Sequence, residues 1–478
     1  MTYEDPLGAL ATVAGDAWLV GGALRDRLLG RVTADYDIAV AGDPAPLARE
    51  LSRDAAGHAF VLSEGFGGWR VVAPGRDWQV DLLPVAGGRI ETDLAARDFT
   101  INALALPLAA LTDGFGFAGN IDSAALIDPF GGVRDLLERR LRMVGQEAFE
   151  HDPLRVLRLA RLKCELGFGV DEATHAAARR AAVRLKRVAA KRIFVEVKRI
   201  VVCDQALDGL TEMDALGALE VVLPELTALR GVSQSPYHHL DVFEHTRAVL
   251  AETIALERDP QRAFAEHAGG VEAVLAEPLA DELTRGEALR FGALFHDIAK
   301  PRTREVVAEG RVIFMGHDVA GAALAGEVLD RLRASERLRR HVAALAEHHL
   351  ALGFLVHRAP LGRRDIYRYL RACEPVEVDV TVLSVADRLA TRGEAVKELA
   401  IESHIALARE LVGEALAWRK APPRAPVRGD ELAQELGIAP GRELGRVLEE
   451  LREASFAGEI GTREEAFELA ARLHQRGS

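Results

Sequence analysis

Two aspartates, Asp35 and Asp37, stand two residues apart in the run DYDIAV. Alternate residues of a β-strand point to the same face of a sheet, so a strand here would present both carboxylates together. Carboxylate oxygens are ligands that suit Mg²⁺, and ions held this way can activate a hydroxyl and neutralise a triphosphate. The pair therefore predicts metal-dependent phosphoryl or nucleotidyl transfer. Acidic pairs are also common in surface turns, so the neighbouring residues must decide between the two interpretations.

The residues before this pair are a glycine pair and an arginine. Gly21 and Gly22 allow backbone N–H groups to approach phosphate oxygens, and the N-terminus of the helix that follows them favours anions. Arg25 on that helix can hold a phosphate through its planar donors. These residues predict a phosphate-binding segment beside the aspartates. Asp81, at the end of another predicted strand, is either a third carboxylate at the metal or a partly buried structural residue.

A second set of potential metal ligands lies in the C-terminal half of the chain, where histidines and aspartates recur on predicted helices. Imidazole and carboxylate together suit a divalent transition metal, and an adjacent His-Asp pair is a recognisable ligand unit. A metal-bound water of lowered pKa could attack a phosphate ester there. The predicted ligands are His245, His296, Asp297, His317, His348 and Asp387. Their neighbours His238, His239 and His349 remain alternatives.

The elements that must position these residues change character along the chain. Near the N-terminus, the runs DYDIAV, FVLS, WRVVA and WQVDLL predict strands, and ALRDRLLG predicts a helix that ends at a glycine. From about Pro153 onward, apolar residues recur at i, i+3 and i+4, which predicts helices. The fold class is therefore α+β, with a small mixed sheet followed by an elongated all-α region. Proline and charge clusters near 225–236 and 420–426 predict domain boundaries.

Composition limits the compartment and the class of site. The 478 residues exceed what one compact core usually holds, and 49% hydrophobic with 28% charged residues is ordinary for globular proteins. The three cysteines have no CxxC spacing, which excludes a thiolate zinc site and fits a reducing environment. The sequence shows neither a signal segment nor a membrane span. We predict a cytoplasmic protein with no membrane partner.

The distribution of charge points to nucleic acid despite the overall balance. A net charge of -13 argues, by itself, against such a partner. Residues 151–200, however, contain thirteen Lys and Arg against five Asp and Glu. A basic segment of this kind can attract phosphate backbones, although a merely solvated helical face would have the same composition.

Five motifs follow one another along the first 200 residues. LVGGALRD with DYDIAV is the first, RDFTINALAL from Arg97 the second and IDPFGGVRDL from Ile127 the third. HDPLRVLRLARL from His151 is the fourth, and RIFVEVKRI from Arg192 the fifth. In this order they resemble the motifs of the class II tRNA nucleotidyltransferase and bacterial poly(A) polymerase superfamily. The resemblance implies a polymerase-β-like head with Mg²⁺ at the aspartate pair, which adds nucleotides to an RNA 3′ end without a template.

In that family, protein side chains choose the incoming base. The resemblance assigns this role to Asp152, which can accept a hydrogen bond from an exocyclic amino group, and to Arg155, which can donate to ring acceptors. Arg158 and Arg161 recur at helical spacing and are expected to face the triphosphate. His151 stands where the family usually has glutamate. The predicted nucleotide-binding residues are Gly21, Gly22, Arg25, Arg97, Asp98, Asp152, Arg155, Arg158 and Arg161.

The length of one connecting segment predicts which nucleotides are added. The segment VDLLPVAGGRIETDLAARDF joins the strand of Asp81 to the RDF motif and is short. Full CCA-adding members have a longer flexible segment there, so the resemblance implies the CC-adding form. The predicted partners are the tRNA 3′ end and CTP, with ATP if the terminal adenosine is also added, and no DNA. The alternatives are a poly(A) polymerase and an HD nucleotide phosphohydrolase with a degenerate nucleotide-binding module.

The histidine series H…HD…H…H…D resembles the HD phosphohydrolase superfamily, in an order that accommodates two metals. The resemblance implies hydrolysis of phosphate esters, such as phosphate or 2′,3′-cyclic phosphate at damaged tRNA ends. Alarmone synthetase/hydrolases also combine a nucleotide-transferring domain with an HD domain, but in those proteins the HD domain comes first. The tail from Val427 resembles the helical C-terminal segment of longer family members, which contacts tRNA. The predicted domains are a head at 1–140, a neck at 141–228, an HD domain at 229–415 and a tail at 416–478.

Overall fold

The computed structural model describes residues 6, 16–63, 67–75, 77–111, 125–234, 239–393 and 397–477. The chain divides into two compact units. The first contains the residues up to Val188 together with Asp208–Val222, and the second contains Ala189–Leu207 and the residues from Leu223 onward. The division into head, neck, HD domain and tail at the predicted boundaries stays a prediction.

The first unit is built around a six-stranded mixed sheet. Its strands are β1 Ala17–Val20, β2 Asp35–Val40, β3 His58–Ser63, β4 Gly68–Val72, β5 Gln79–Pro84 and β6 Ala105–Pro107. Their order across the sheet is β3-β4-β5-β2-β1-β6, and only β2 and β5 pair in parallel. The strands predicted from DYDIAV, FVLS, WRVVA and WQVDLL correspond to β2, β3, β4 and β5.

The alternation in β2 decides which face carries its chemistry. Tyr36 and Ile38 are buried, whereas Asp35 is exposed and Asp37 is half-buried. A strand places successive side chains on opposite faces, so burial of the apolar residues in the core turns both aspartates to the other side. The register of this strand thus follows from its own sequence.

The helices of the first unit connect the strands and then continue beyond the sheet. Those before Val188 are α1 Gly21–Leu28, α2 Ala45–Asp54, α3 Ile90–Ala95, α4 Gly132–Leu137, α5 Ala148–His151, α6 Arg155–Leu166 and α7 Glu172–Ala181. Two short strands, β7 Arg140–Leu141 and β8 Gly169–Val170, pair in parallel. The buried side of α6 carries Val156, Leu157 and Leu159 among others, and Gly167 in the left-handed region ends the helix.

Helices dominate the remainder of the chain. They are α8 Ala190–Val202, α9 Ala206–Ala215, α10 Ala218–Val222, α11 Pro224–Thr227, α12 Val242–Arg258, α13 Gln261–Phe264, α14 Ala268–Leu275, α15 Arg285–Phe295, α16 Lys300–Thr303, α17 His317–Arg331, α18 Glu336–His348, α19 Ala351–Leu355, α20 Arg363–Cys373, α21 Glu377–Ala390, α22 Glu398–Lys420, α23 Gly429–Leu436, α24 Arg442–Phe456 and α25 Arg463–Gly477. The expected succession of a mixed sheet and a mostly helical region is confirmed. The tail helices α23–α25 share a hydrophobic cluster that includes Leu432, Val447 and Leu451.

Two small hairpins that were not predicted from the sequence lie between helices of the second unit. β9 Pro278–Ala280 pairs with β10 Leu283–Thr284, and β11 Arg304–Val306 pairs with β12 Val312–Phe314. The loop between β9 and β10 is Asp281–Glu282, and both residues have positive φ. Such two-residue turns usually contain Asn-Gly or Asp-Gly, so the Asp-Glu pair gave no signal in the sequence.

No helix among the described residues is long and apolar enough to cross a bilayer.

Candidate functional site

Three carboxylates share one face of the sheet. Asp35 and Asp37 lie on β2, and Asp81 on β5 lies directly opposite Asp37 in the parallel register. Residues paired in this way project to the same side, so the structure favours the interpretation of Asp81 as a member of the group. Burial raises the pKa of Asp37, and the charges of Asp81 and Asp35 raise it further, while Arg97 and Arg158 lower it. Arg70 binds Asp81 through two hydrogen bonds of 2.6 and 2.7 Å.

This set of donors fits a hard divalent cation. The pKa of Asp37 is raised mainly by burial and further by the charges of the other two carboxylates, and a cation between them would offset both effects. Oxygen donors from carboxylates are those that Mg²⁺ prefers. Asp35 and Asp37, with Asp81 behind them, are therefore the residues that would hold it.

Gly21 brings three of the predicted elements together. It has a φ of +70°, and a Cβ built on it would lie 2.9 Å from Oδ2 of Asp37 and 2.9 Å from Nη1 of Arg97. Glycine is required here both for the left-handed backbone and for the close approach of these two charged groups. The glycine pair, the aspartate pair and the RDF motif thus meet at the start of α1.

Arg25 points into the protein rather than toward open space. It is 6% exposed, and its guanidinium donates to both carboxylate oxygens of Asp26 at 2.9 and 2.8 Å and to Oδ1 of Asn102 at 2.8 Å. The side chain that was expected to hold a phosphate is thus committed to two protein partners in this structure.

Asp98 is the buried anchor of the RDF motif. It accepts hydrogen bonds from Nε of Arg158 at 2.7 Å, from Nδ2 of Asn102 at 2.9 Å and from the N–H of Phe99 at 2.8 Å. Burial alone would raise the pKa of Asp98, but the charge of Arg158 and these hydrogen bonds lower it, so the carboxyl group is ionised. Arg97 beside it is held by Asp93, with Nη2 2.9 Å from Oδ2. The structure therefore brings Arg97, Asp98 and Arg158 together.

The predicted base-reading residues lie between α5 and α6. Asp152 ends α5 and accepts the N–H of Leu154 at 3.2 Å. The guanidinium of Arg155 donates to the carbonyl oxygens of Arg97 and Ala148, both at 3.1 Å, and to that of Ala96. These bonds tie the start of α6 to the RDF motif. The roles of both residues in base reading stay predictions.

Arg161 is placed differently from the other arginines of its helix. It is 3% exposed and donates to Oε2 of Glu165 at 2.7 Å. Arg158, one turn earlier, has about a third of its side chain exposed (34%). Helical spacing alone suggested one function for both, but packing separates an accessible guanidinium from a buried one.

The second candidate site is a cluster of histidines and aspartates from different helices. His245 lies on α12, His296 and Asp297 follow α15, His317 begins α17, and Asp387 lies on α21. Nε2 of His245 is 3.0 Å from Asp387 and 3.8 Å from Asp297. Nε2 of His296 and of His317 lie 3.1 and 3.3 Å from Asp297. The ligand atoms form two groups that share Asp297, one with His245 and His296 and the other with His317 and His349.

His349, rather than the predicted His348, completes this cluster. Its Nε2 is 3.7 Å from Asp297 and it is 2% exposed, whereas His348 is half-buried and belongs to neither group. The buried face of α18 contains Leu338, Val342 and Leu345, and continuing that spacing reaches position 349. The apolar stripe could have identified the correct histidine. His239 is exposed, and His238 lies outside the described residues.

The orientation of the rings fits metal binding. Nδ1 of His296, His317 and His349 lies 2.8, 2.7 and 2.6 Å from a backbone carbonyl oxygen three residues earlier. A ring that donates from Nδ1 presents the lone pair of Nε2, which is how metal-ligating histidines are usually held. In all three rings Nε2 is buried and has no hydrogen-bond partner among the described residues. A cation would satisfy these buried acceptors.

Electrostatics keep three of the ligands, Asp297, Asp387 and His349, in the protonation states that a metal needs. Although burial would raise it, the pKa of Asp297 lies well below its ordinary value because His296 and Lys300 stabilise the charge. Asp387 is ionised in the same way through His245. Burial lowers the pKa of His349 to about 4, so this ring is neutral near pH 7. Metal ligands must be deprotonated, as Asp297, Asp387 and His349 are. The pKa of His296 is raised, because the charge of Asp297 outweighs the effect of burial, so a bound cation would displace a proton from this ring.

Lys300 is a residue that the sequence analysis missed. It is 6% exposed, and its Nζ lies 2.6 Å from Asp297 and donates to Oε1 of Gln234 at 2.6 Å. Its position three residues after Asp297, on a predicted helix, was the available signal. A cation beside the shared carboxylate can also contact a substrate phosphate.

Three family models match successive parts of the chain. The Poly A polymerase head domain matches residues 17–82 and 71–142, and the "Probable RNA and SrmB- binding site of polymerase A" matches residues 167–229. The HD domain matches residues 242–392.

Relatives resemble the chain over nearly its whole length. The A-adding tRNA nucleotidyltransferase of Deinococcus radiodurans is 36% identical over 94% of this chain and 94% of its own. The CC-adding tRNA nucleotidyltransferase of Thermus thermophilus is 35% identical over 97% of this chain and 94% of its own. A solved structure of the Thermotoga maritima CCA-adding enzyme complexed with tRNA has the same fold, with a TM-score of 0.57 over 96% of this chain and 91% of that one, at 20% identity. The chain therefore belongs to the tRNA nucleotidyltransferase and poly(A) polymerase family and carries an HD domain.

Proposed function

We propose that this protein is a tRNA nucleotidyltransferase that adds CMP to the tRNA 3′ end without a nucleic-acid template. The observation that carries this proposal is the meeting of Gly21, Asp37 and Arg97 at the start of α1, beside a carboxylate group suited to Mg²⁺. The identity to tRNA nucleotidyltransferases over the length of the chain supports the same reaction.

In the proposed reaction, the 3′-hydroxyl of the RNA attacks the α-phosphate of the nucleotide. A phosphodiester bond forms, the bond to the β-phosphate breaks and pyrophosphate leaves. Mg²⁺ at Asp35 and Asp37 would activate the hydroxyl and neutralise the triphosphate. Arg97 and Arg158 hold the nucleotide, and their charges offset the developing negative charge. Asp152 and Arg155 select the base through its amino group and the acceptor beside it.

The basic surface after α6 suits the tRNA backbone. Arg179 and Arg180 end α7, and a 3₁₀ turn at Ala182–Arg187 follows them. The exposed cations of this region are Arg179, Arg180, Arg184, Lys186 and Arg187. Contacts of this kind give affinity that falls as salt rises. We place the protein with its substrate in the cytoplasm.

The short connection before the RDF motif supports CC addition. Only Val85–Ala96 separates β5 from Arg97, and much of it is ordered as a 3₁₀ turn at Ala86–Gly88 and helix α3. Asp93 of that helix binds Arg97. A short, anchored connection leaves little freedom to remodel the pocket after two cytidines have been added, which is why we propose that the enzyme stops before the terminal adenosine.

Addition of the terminal adenosine alone is the second candidate, because the Deinococcus relative is named for it. One assay separates the outcomes: two tRNA transcripts, one lacking CCA and one ending in CC, are incubated with CTP, with ATP and with both. CC addition predicts two cytidines on the first transcript and no product on the second. AMP incorporation into the second contradicts it, and long adenosine tracts would indicate a poly(A) polymerase.

We also propose that the HD centre hydrolyses phosphate esters, with phosphate or 2′,3′-cyclic phosphate at damaged tRNA ends as the substrate. The three buried Nε2 atoms and the shared Asp297 support this activity. The residues that would hold a divalent transition metal are His245, His296, Asp297, His317, His349 and Asp387. Bound metal would lower the pKa of a water so that it can attack phosphorus. Replacing His296 and Asp297 by alanine should abolish hydrolysis and leave CMP incorporation intact, and loss of both activities in a folded protein would contradict the division of labour.

A further inference from the structure

The side chain of Asn102 connects two charged residues, Arg25 and Asp98, through hydrogen bonds. It lies in the 3₁₀ turn Thr100–Asn102 and is 4% exposed. Its Oδ1 accepts from Nη1 of Arg25 at 2.8 Å, and its Nδ2 donates to Oδ1 of Asp98 at 2.9 Å. Both polar atoms of the amide are thus used inside the protein.

The two ends of this bridge lead to the nucleotide site. On one side, Arg25 belongs to α1, whose first residue Gly21 lies against Asp37 and Arg97. On the other side, the second oxygen of Asp98 accepts from Arg158, with Nε at 2.7 Å and Nη2 at 2.6 Å. A continuous buried chain of hydrogen bonds therefore runs from α1 through Asn102 to the guanidinium on α6.

The chemistry of the bridge requires an amide. The atom that faces Arg25 must accept a hydrogen bond, and the atom that faces the ionised Asp98 must donate one. Aspartate would place a second carboxylate against Asp98, and an apolar residue of the same size would remove one buried hydrogen bond from each partner.

We propose that Asn102 is a positioning residue for nucleotidyl transfer, which fixes the guanidinium of Arg158 toward the nucleotide by holding Asp98 and Arg25 in one hydrogen-bond chain. This inference rests on the proposed nucleotidyltransferase activity. Arg158 is the member of the chain that reaches the site, because a third of its side chain is exposed and its charge acts on Asp37. Asn102 itself is buried and acts through it.

The test compares Asn102→Leu and Asn102→Asp with a matched variant, Thr100→Val. Thr100 lies on the same turn, is fully buried and donates to Oδ2 of Asp135 at 2.6 Å, in a network with Arg140 and Arg142. Both Asn102 variants should raise the KM for CTP about tenfold and change kcat less, because a buried polar partner is lost but the metal-binding carboxylates stay in place. Thr100→Val should lower the melting temperature similarly and leave KM near that of the wild type.

A double-mutant cycle with Arg158→Gln then distinguishes positioning from general structure. If Asn102 acts through Arg158, the double variant should be no worse in kcat/KM than Arg158→Gln alone, to within about twofold. Additive losses, or an equal rise of KM in Thr100→Val, would overturn the proposal. Failure of the wild-type protein to incorporate CMP or AMP into tRNA would instead overturn the proposed function.

Discussion

The two candidate sites are built in opposite ways. The nucleotidyl-transfer site rests on neighbouring strands, where the register of β2 and β5 aligns Asp35, Asp37 and Asp81, and its carboxylates remain partly exposed. The HD centre gathers ligands from separate helices, and its histidines His245, His296 and His349 are at most 2% exposed. A sheet can specify a site through local alternation, whereas a helical cluster depends on how distant elements pack.

Removing a carboxylate of the sheet should produce the largest loss of activity and is the clearest test of whether the two sites are independent. We expect Asp37→Ala to reduce CMP incorporation into tRNA on the order of 1000-fold, because it removes both a metal ligand and the centre of the carboxylate group. Hydrolysis of bis-p-nitrophenyl phosphate in the presence of Mn²⁺ or Ni²⁺ should not change. A parallel loss of both activities would show that the sites are not independent.

The adjacent histidines at the C-terminal end of α18, His348 and His349, offer a matched pair for the HD centre. His349→Ala should lower metal-dependent hydrolysis on the order of 100-fold and reduce bound metal, because a buried Nε2 acceptor is lost. His348→Ala should leave both close to the wild-type values, since that side chain lies outside the cluster. Metal content by mass spectrometry and initial rates check the pair. Equal effects of the two substitutions would contradict the assignment of His349.

A substitution at Gly21 can show whether activity depends on the close contact of this residue with Asp37 and Arg97 or only on its left-handed backbone. Gly21→Ala should reduce CMP incorporation roughly 30-fold, because the new Cβ would displace Asp37 and Arg97 and small misplacements are costly in catalysis. Gly30 has nearly the same φ, +69°, but a Cβ there meets nothing within 4 Å. Gly30→Ala is therefore the control for strain alone. If the two variants lose activity equally, the contact at Gly21 is unimportant.

The smallest effect, on the pH dependence of stability, is expected from His404, which is not one of the predicted ligands of the HD centre. Its Nε2 lies 3.1 Å from Oγ of Ser384, and burial lowers its pKa to about 4. Between pH 6.5 and 4 the unfolded chain binds a proton that the folded protein does not, so the protein loses stability as the pH falls through this window. At higher pH the residue is neutral in both states and contributes no pH dependence.

The measurement is the free energy of unfolding in urea at pH 7.5 and 5.0. The loss on acidification should be smaller in His404→Gln than in the wild type by about 1 to 2 kcal/mol. The other ionisable groups are the same in both proteins, so the difference isolates His404. An identical pH dependence in the two proteins would contradict the lowered pKa.

Local patterns allowed much of the first site to be predicted. The alternation in DYDIAV predicted a strand with both aspartates on one face. The glycine pair predicted a close approach to phosphate oxygens, which stays a prediction, whereas the contact of Gly21 with Asp37 and Arg97 was not foreseen. It could not be predicted that the side chain of Arg25 points into the protein, because its partner Asn102 lies 77 residues away in the chain. The same holds for Arg155, whose guanidinium donates to the carbonyl oxygens of Ala96 and Arg97 at the start of the RDF motif. Sequence spacing specifies where such an arginine can reach, but not which buried acceptor it meets.

The order of the elements, the family and the residue types at both sites follow from the sequence alone, because strand and helix periodicity and short motifs are local properties. The three-dimensional packing was needed to show that Asp81 lies beside the aspartate pair, that His349 and not His348 faces the metal cluster, and that Asn102 links Arg25 to Asp98. Each of these depends on which faces of distant elements pack together. That choice is made by burial of apolar side chains over the whole core, and no single segment contains it.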